Sequence, residues 1–197
     1  SGESGLLVTT TQGFRSYQQD SAWIWEHQAL VRARFVAGDP TVATKVDAVR
    51  RDVLCQARDE AQLAAEVVKM RTRMRDHLLP SEQSRPDEFH LKQGRGGMVD
   101  IEFMVQYAVL AWSQRVPALA DWSDNVRILE VLGREGLFTA AEVEQLTAAY
   151  LAYRAAAHQQ ALQQQPAVAP ATDFAAARAV VVEKWDQLLG AAAATAQ

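Results

Sequence analysis

The residues best suited to chemistry lie in a glycine-rich stretch in the middle of the chain, residues 91–103. It reads LKQGRGGMVDIEF, so that three glycines and two cations run directly into an apolar helical pattern. Glycine turns leave backbone amides uncovered, and a helix that follows directs its free amides and positive dipole end at the same point. The stretch therefore predicts an anion site, most simply for phosphate. Its candidate ligands are Lys92, Gly94, Arg95, Gly96, Gly97 and Asp100.

A purely structural interpretation of this stretch is equally open. Glycines commonly mark a tight turn between helices, and Asp100 in the first helical turn is what the helix dipole prefers. The glycine spacing matches neither the dinucleotide-binding fingerprint nor a P-loop. The residues alone therefore leave an anion site and a structural turn as alternatives.

A second set of polar residues lies on a predicted helix spanning residues 14–35. Helical spacing places His27 and Arg34 on the same stripe as the apolar residues Trp23 and Leu30. A buried guanidinium needs a partner, so Arg34 is expected to meet a carboxylate, a backbone carbonyl or a ligand anion. An internal ion pair and a core histidine are the more frequent explanations of such a pattern.

The sequence offers no convincing metal site. Asp100 and Glu102 resemble a carboxylate pair, but residues two apart lie on nearly opposite sides of a helix and cannot chelate together. Asp100 is expected to face the anion site and to position Lys92, Arg95 or a metal-bound water. The single cysteine, Cys55, has no companion ligand and is interpreted as an inert core thiol in a reducing compartment.

Composition and charge narrow the class of protein. The 197 residues are 49% hydrophobic, which is enough for a substantial core, and 20 Lys+Arg against 24 Asp+Glu give a net charge of −4. No overall positive field is present to recruit nucleic acid or an anionic membrane. No apolar run approaches 18 residues and no signal peptide is recognisable. The expected location is the cytoplasm.

Apolar periodicity predicts an all-α protein, a bundle of about seven helices. The predicted helices span residues 14–35, 40–57, 60–79, 98–113, 125–134, 139–165 and 174–189. The helix at 98–113 is the most apolar and is expected to be central. Residues 6–9 are a possible short strand, 80–87 a proline-broken loop, 166–170 a linker and 190–197 a frayed tail. Arg71, Arg73 and Arg75 are interpreted as complementing a helix C-terminus rather than as a binding patch.

Three segments resemble a known family. Residues 91–107 (LKQGRGGMVDIEFMVQY), 22–34 (AWIWEHQALVRAR) and 36–39 (VAGD) resemble the C-terminal region of the glutamine synthetase adenylyltransferases, and the likeness covers roughly residues 1–189. The resemblance implies a bifunctional enzyme that transfers AMP from ATP to glutamine synthetase and removes it by phosphorolysis. It also implies Mg²⁺ and ATP in the intact enzyme, and glutamine synthetase and the PII signal protein as partners.

The resemblance further implies a division of labour between two domains. In the family, the metal-binding carboxylates lie on a nucleotidyltransferase sheet that precedes a helical domain. Residues 1–12 are then a remnant of that truncated domain and residues 13–189 the helical bundle, so no catalytic or metal-binding residue is expected here and the isolated chain is expected to be inactive. The bundle would form a wall of the nucleotide cleft, with the glycine turn on the phosphates and His27, Arg32 and Arg34 opposite. The alternative is a regulatory module that docks glutamine synthetase or PII.

Overall fold

The structure is a computed structural model that describes residues 8–79 and 87–195. The predicted all-α class is confirmed, because eight α-helices account for most of this part of the chain. The elements, in chain order, are α1 Thr11–Asp20, α2 Ile24–Arg32, α3 Pro40–Leu54, α4 Glu60–Leu78, β1 Glu88–His90, α5 Met98–Trp112, a 3₁₀ helix Pro117–Asp121, α6 Asn125–Arg134, α7 Ala140–Leu162, β2 Val168–Pro170 and α8 Ala175–Thr195.

Helix α5 is the central element of the bundle, as its composition predicted. Its apolar residues are spread around the whole helix, and twelve of its fifteen residues are buried. A helix with no polar face must be covered on all sides. Helices α2, α4, α6, α7 and α8 all pack against it. The glycine turn, which directly precedes α5, is therefore attached to the central helix of the described bundle.

The predicted helix at residues 14–35 is in fact two helices. Helix α1 ends at Asp20, and the backbone is extended at Trp23, where α2 begins. The Glu26 side chain caps α2 by accepting a hydrogen bond from the Trp23 amide at 2.9 Å. Periodicity alone cannot show such a break, because the apolar spacing continues across it. Helix α2 itself ends at Arg32, so Arg34 lies in the loop that follows it.

A small antiparallel strand pair joins residues 88–90, for which the sequence predicted no element, to the predicted linker at residues 166–170. Strand β1 pairs with β2 so that Phe89 lies opposite Ala169. The next amide, that of Leu91, donates to the carbonyl of Ala167 at 2.9 Å. The pair thereby holds the start of the glycine turn against the α7–α8 connection.

The chain ends differ from the predictions where they can be compared. Of the predicted strand at residues 6–9, residues 6–7 lie outside the described residues, and Val8 and Thr9 form no strand. Residues 80–86 of the predicted loop also lie outside them. Helix α8 continues through Gly190 to Thr195 instead of ending at Leu189, consistent with the high helix propensity of its alanines. None of the described helices is both long and apolar enough to cross a membrane.

Candidate functional site

The glycine turn between β1 and α5 is closed by its own hydrogen bonds. The amide of Gly94 donates to the carbonyl of His90 and that of Gly97 to the carbonyl of Gly94, each at 2.9 Å. The Gly96 amide donates to the carboxylate of Asp100 at 2.7 Å. The prediction that these three amides would serve an external anion is therefore wrong, because each already has an acceptor inside the turn.

The glycines allow close packing rather than ligand contact. Gly96 has φ +80°, and a Cβ there would lie 2.8 Å from the backbone oxygen of Arg178 on α8. A Cβ on Gly97 would lie 2.9 Å from the carbonyl oxygen of Leu91. Any larger side chain would force the turn and α8 apart. The structural alternative accounts for Gly96 and Gly97.

Asp100 is a buried anchor for two arginines of α4. Its Oδ1 accepts from Arg71 Nε at 2.6 Å, and its two oxygens accept from Arg75 Nη2 at 3.0 and 3.2 Å. Together with the Gly96 amide, these donors satisfy the carboxylate. Asp100 therefore positions Arg71 and Arg75, not Lys92 or Arg95 as predicted. The sequence signal was the spacing of Arg71 and Arg75, which puts both on one side of a helix.

Arg71 also ties α4 to the glycine turn directly. Its Nη2 donates to the carbonyl of Gln93 at 2.7 Å, and its Nη1 donates to the Gln93 side chain at 3.2 Å. Arg71 is fully buried, so its partners replace the water that it loses on folding. Arg71 was interpreted as complementing a helix C-terminus, but it lies before the last turn of α4, and its donors go to Asp100 and Gln93 instead.

The two cations of the glycine turn remain at the surface. Lys92 and Arg95 are both exposed. The Arg95 guanidinium forms an ion pair with Asp186 of α8 at 3.1 Å. The backbone carbonyl of Arg95 accepts a hydrogen bond from Arg178 Nε at 2.9 Å. Their side chains are therefore within reach of a ligand, while the backbone between them is fixed.

His27 is a core histidine with both ring nitrogens occupied. Its Nε2 lies 2.9 Å from the carbonyl of Gln18, and its Nδ1 lies 3.3 Å from a guanidinium nitrogen of Arg58. The carbonyl can only accept and the guanidinium can only donate, so the ring is neutral with its proton on Nε2. Burial lowers the pKa of His27 below its ordinary value and lowers that of Arg58 to about 10. His27 cannot reach a ligand without losing these bonds.

Arg34 and Arg32 lie on the surface near the end of α2. The expectation that Arg34 is buried is wrong, because the helix ends at Arg32 and leaves Arg34 exposed in the following loop. There it lines a cavity of about 460 Å³ together with Arg50 and Arg51. Arg32 lies 3.5 Å from the carboxylate of Glu102, at the limit of a hydrogen bond.

The predicted site residues thus fall into two groups on different sides of α5. Glu102 faces α2 and Arg32, whereas Asp100 faces α4 and the glycine turn. Neither carboxylate fits a magnesium site, because each is engaged by cations and they point apart. Across residues 8–79 and 87–195, no group of three or more His, Cys, Asp or Glu is arranged to hold a metal.

A groove lies between α4 and α8, and we call it the α4–α8 groove. Its volume is about 830 Å³, and Ala65, Thr72, Arg95 and Trp185 are among the residues that line it. Five lining residues are cationic and two are acidic, and the acidic residues Glu66 and Asp186 pair with Lys69 at 3.8 Å and with Arg95 at 3.1 Å. The cations are Lys69, Arg71, Arg73, Arg75 and Arg95.

Comparison with known proteins places the chain in a family. A family model described as glutamate-ammonia ligase adenylyltransferase matches residues 1–49, and one described as GlnD PII-uridylyltransferase matches residues 64–192. The chain is 48% identical over its full length to the bifunctional glutamine synthetase adenylyltransferase/adenylyl-removing enzyme of Acinetobacter baylyi. It is 46% identical over 95% of its length to the enzyme of the same name from Hahella chejuensis.

The match covers only part of these relatives. The chain spans 21% of the Acinetobacter protein and 20% of the Hahella protein. The enzyme from Pseudomonas aeruginosa, 48% identical to this chain, shows the same 20% coverage. The segments that suggested the resemblance lie within these matches. The chain therefore belongs to the glutamine synthetase adenylyltransferase family.

Proposed function

We propose that this chain is the helical unit of an enzyme that transfers AMP from ATP to glutamine synthetase and removes it again by phosphorolysis. The observation that carries the proposal is the 48% identity across the whole chain to a relative whose name states both activities. In this role the bundle forms one wall of the nucleotide cleft. The catalytic carboxylates would belong to another domain of the enzyme.

Lys92 and Arg95 are the proposed phosphate contacts of that wall. Both side chains are exposed, while the turn between them is held by β1, by α8 and by the Asp100 carboxylate. Cations on a rigid base can bind phosphate oxygens without a large loss of conformational entropy. Because Asp100 anchors α4 instead, it contributes to this wall indirectly. No step of the proposal uses a magnesium ion held by the described residues.

The test is the transfer rate of a full-length enzyme that contains this sequence. Replacing Lys92 or Arg95 by alanine should reduce kcat/KM for ATP by about tenfold each, the typical effect of losing one charge-assisted hydrogen bond. Arg134→Ala on α6 removes an equally exposed arginine and should leave kcat/KM unchanged. The readout is incorporation of labelled AMP into glutamine synthetase.

Unchanged transfer in both variants would remove the phosphate role of the turn. The alternative function, a module that docks glutamine synthetase or PII, would then be favoured. Its support is the exposure of Trp23 (69%) and Trp25 (47%) at the start of α2, because exposed tryptophans are frequent in protein interfaces. Capture of either partner by the chain, and its loss in Trp23→Ala, would establish that alternative.

A further inference from the structure

Arg58 is a partly buried cation in the connection between α3 and α4. Its guanidinium donates to the carbonyl of Val53 at 2.7 Å and to that of Leu110 at 3.3 Å, so it joins the end of α3 to the central helix α5. No carboxylate of the described residues forms an ion pair with Arg58. Its charge therefore loses water without gaining a neighbouring anion, which makes a second positive charge nearby costly.

The ring of His27 lies against this cation. Its Nδ1 atom accepts a hydrogen bond from the Arg58 guanidinium at 3.3 Å, and its Nε2 atom donates to the carbonyl of Gln18, near the end of α1, at 2.9 Å. His27 is only 7% exposed. Protonation would place a hydrogen on Nδ1, where it would face a guanidinium hydrogen and a second positive charge. The contact with Arg58 therefore requires the neutral ring.

Two charged groups act on His27 across residues 8–79 and 87–195, Arg58 from the α3–α4 connection and Glu26 from α2 itself. The Glu26 carboxylate already accepts from the Tyr17 hydroxyl at 2.6 Å and from the Trp23 amide at 2.9 Å. Charged side chains on the helices around α2 have separate partners, among them Arg15 with Asp52, Arg50 with backbone carbonyls, Asp59 with the Gln62 amide, Glu66 with Lys69, and Glu102 with Arg32. Arg58 is therefore the charged group whose hydrogen bond to the ring depends on protonation.

We propose that the contact between His27 and Arg58 is a pH-sensitive switch, which holds the end of α1 and the α3–α4 connection against α2 at neutral pH and releases them on acidification. The ring bridges these two segments, because one ring nitrogen binds the Gln18 carbonyl and the other binds Arg58. A protonated ring repels Arg58 from the position in which it binds Leu110 of α5. The switch goes beyond the proposed function, because it concerns the packing of the helices and no step of AMP transfer.

The pH range of the switch follows from the pKa of His27. Burial is the main cause that lowers this pKa below its ordinary value of 6.5, and Arg58 lowers it further, whereas the Gln18 carbonyl and Glu26 oppose the shift. When the segments around the ring open, the exposed ring regains its ordinary pKa and binds a proton at a higher pH than the closed state does. The closed state is therefore fully stable above about pH 6.5, and opening becomes more frequent below it, by up to about tenfold per pH unit.

The test is native-state hydrogen exchange of the 197-residue chain at about pH 7.5 and about pH 5.5, expressed as protection factors, which correct for the pH dependence of the exchange chemistry. The amides to follow are those of Ser21 and Ala22, which donate to the Tyr17 carbonyl, and that of Cys55, which donates to the Arg51 carbonyl. Their protection factors should fall by about three- to tenfold at the lower pH. Amides of α5 should change less.

His27→Gln removes the titration, because glutamine both donates and accepts hydrogen bonds but binds no proton in this range. Protection of the same amides should then be equal at the two pH values, whatever the absolute stability of the variant. The matched control is His158→Gln, at an exposed position on α7, which should keep the pH dependence of the wild type. A ring-nitrogen NMR titration of the wild-type chain needs no variant, and the His27 ring should carry its proton on Nε2 at neutral pH and titrate below pH 6.5.

An equal loss of protection in His27→Gln and in the wild type would overturn the switch, and so would titration of the His27 ring at or above pH 6.5. A loss of the same size in α5 would also overturn it, because acid would then act on the whole bundle. None of these outcomes bears on AMP transfer, which is tested separately with variants of Lys92 and Arg95.

Discussion

Asp100 holds three partners at a position that is almost completely buried. Its carboxylate binds Arg71, Arg75 and the Gly96 amide, and so joins α4, the glycine turn and α5 at one point. Breaking a buried ion pair from one side leaves an uncompensated charge. The Arg71 guanidinium, which is fully buried, would carry that cost.

We therefore expect Asp100→Asn to destabilise the fold strongly. The isosteric amide removes the charge but keeps the shape, and the loss of free energy of unfolding should be about 3–5 kcal/mol. Asp186→Asn breaks the exposed pair with Arg95 by the same chemical change and should cost less than about 1 kcal/mol. Urea unfolding followed by circular dichroism measures both. Similar losses in the two variants would contradict the role assigned to Asp100.

At the residue scale, the sequence singled out Asp100 but not the side chains that bind it. Asp100, Lys92 and Arg95 were recognised as a group, yet Asp100 binds arginines from a helix more than twenty residues earlier in the chain. Such a pairing depends on which helices pack together, and local patterns do not contain that information. Arg34 was misplaced because the end of α2 is set by the backbone near residue 33.

At the scale of elements, the glycine turn is fixed by its contact with α8. Gly96 and Gly136 both have positive φ, but their surroundings differ. A Cβ at Gly96 would meet the backbone and side chain of Arg178, whereas a Cβ at Gly136 would have nothing within 4 Å. Substituting alanine at each glycine therefore separates two contributions to the loss of unfolding free energy: the strained backbone, which both share, and the crowding, which only Gly96 has.

Gly96→Ala should be clearly more destabilising than Gly136→Ala. Both alanines must adopt a left-handed conformation, at about 1–2 kcal/mol each. Only Gly96→Ala also displaces α8, which adds about 1–3 kcal/mol for overpacking. The difference between the two unfolding free energies measures the crowding term. Equal values would mean that α8 is free to move away from the turn.

Periodic helices were predictable at this scale, whereas pairings between distant segments were not. The bounds of α6 match the prediction, and α7 lies within the predicted range 139–165, with Thr139 and Glu142 forming a capping box at its start. Strands β1 and β2 were missed, because each has three residues and acquires its pairing from a segment about eighty residues away. Three-residue strands carry no detectable period.

At the scale of the whole molecule, the bundle has a main core around α5 and a small second core. The second core consists of Leu30, Val49 and Val53, with Phe14 packed against it, and so joins α1, α2 and α3. Few buried side chains support this part of the chain. It is therefore expected to open at lower free energy than the main core.

Arg50 is the principal polar link at this second core. Its buried guanidinium donates to four backbone carbonyls, those of Leu30, Val31, Ala120 and Trp122. These carbonyls lie at the end of α2 and in the segment of the 3₁₀ helix, so one side chain of α3 holds both. Burial lowers the pKa of Arg50. The four carbonyls can only accept hydrogen bonds, and the guanidinium supplies the donors that they need.

Arg50→Ala should therefore loosen one part of the molecule without unfolding the rest. Four carbonyls would lose a charged donor, and the opening free energy of α1 and α3 should fall by about 3 kcal/mol or more, given about 1.5–3 kcal/mol for a single charged hydrogen bond. The control is Arg51→Ala, which removes an exposed ion pair with Asp121. It should change the opening free energy of α1 and α3 by less than about 1 kcal/mol. Native-state hydrogen exchange resolves the elements separately. Amides of α5 should keep their protection in Arg50→Ala, and a uniform loss across all helices would show that the two cores unfold as one unit.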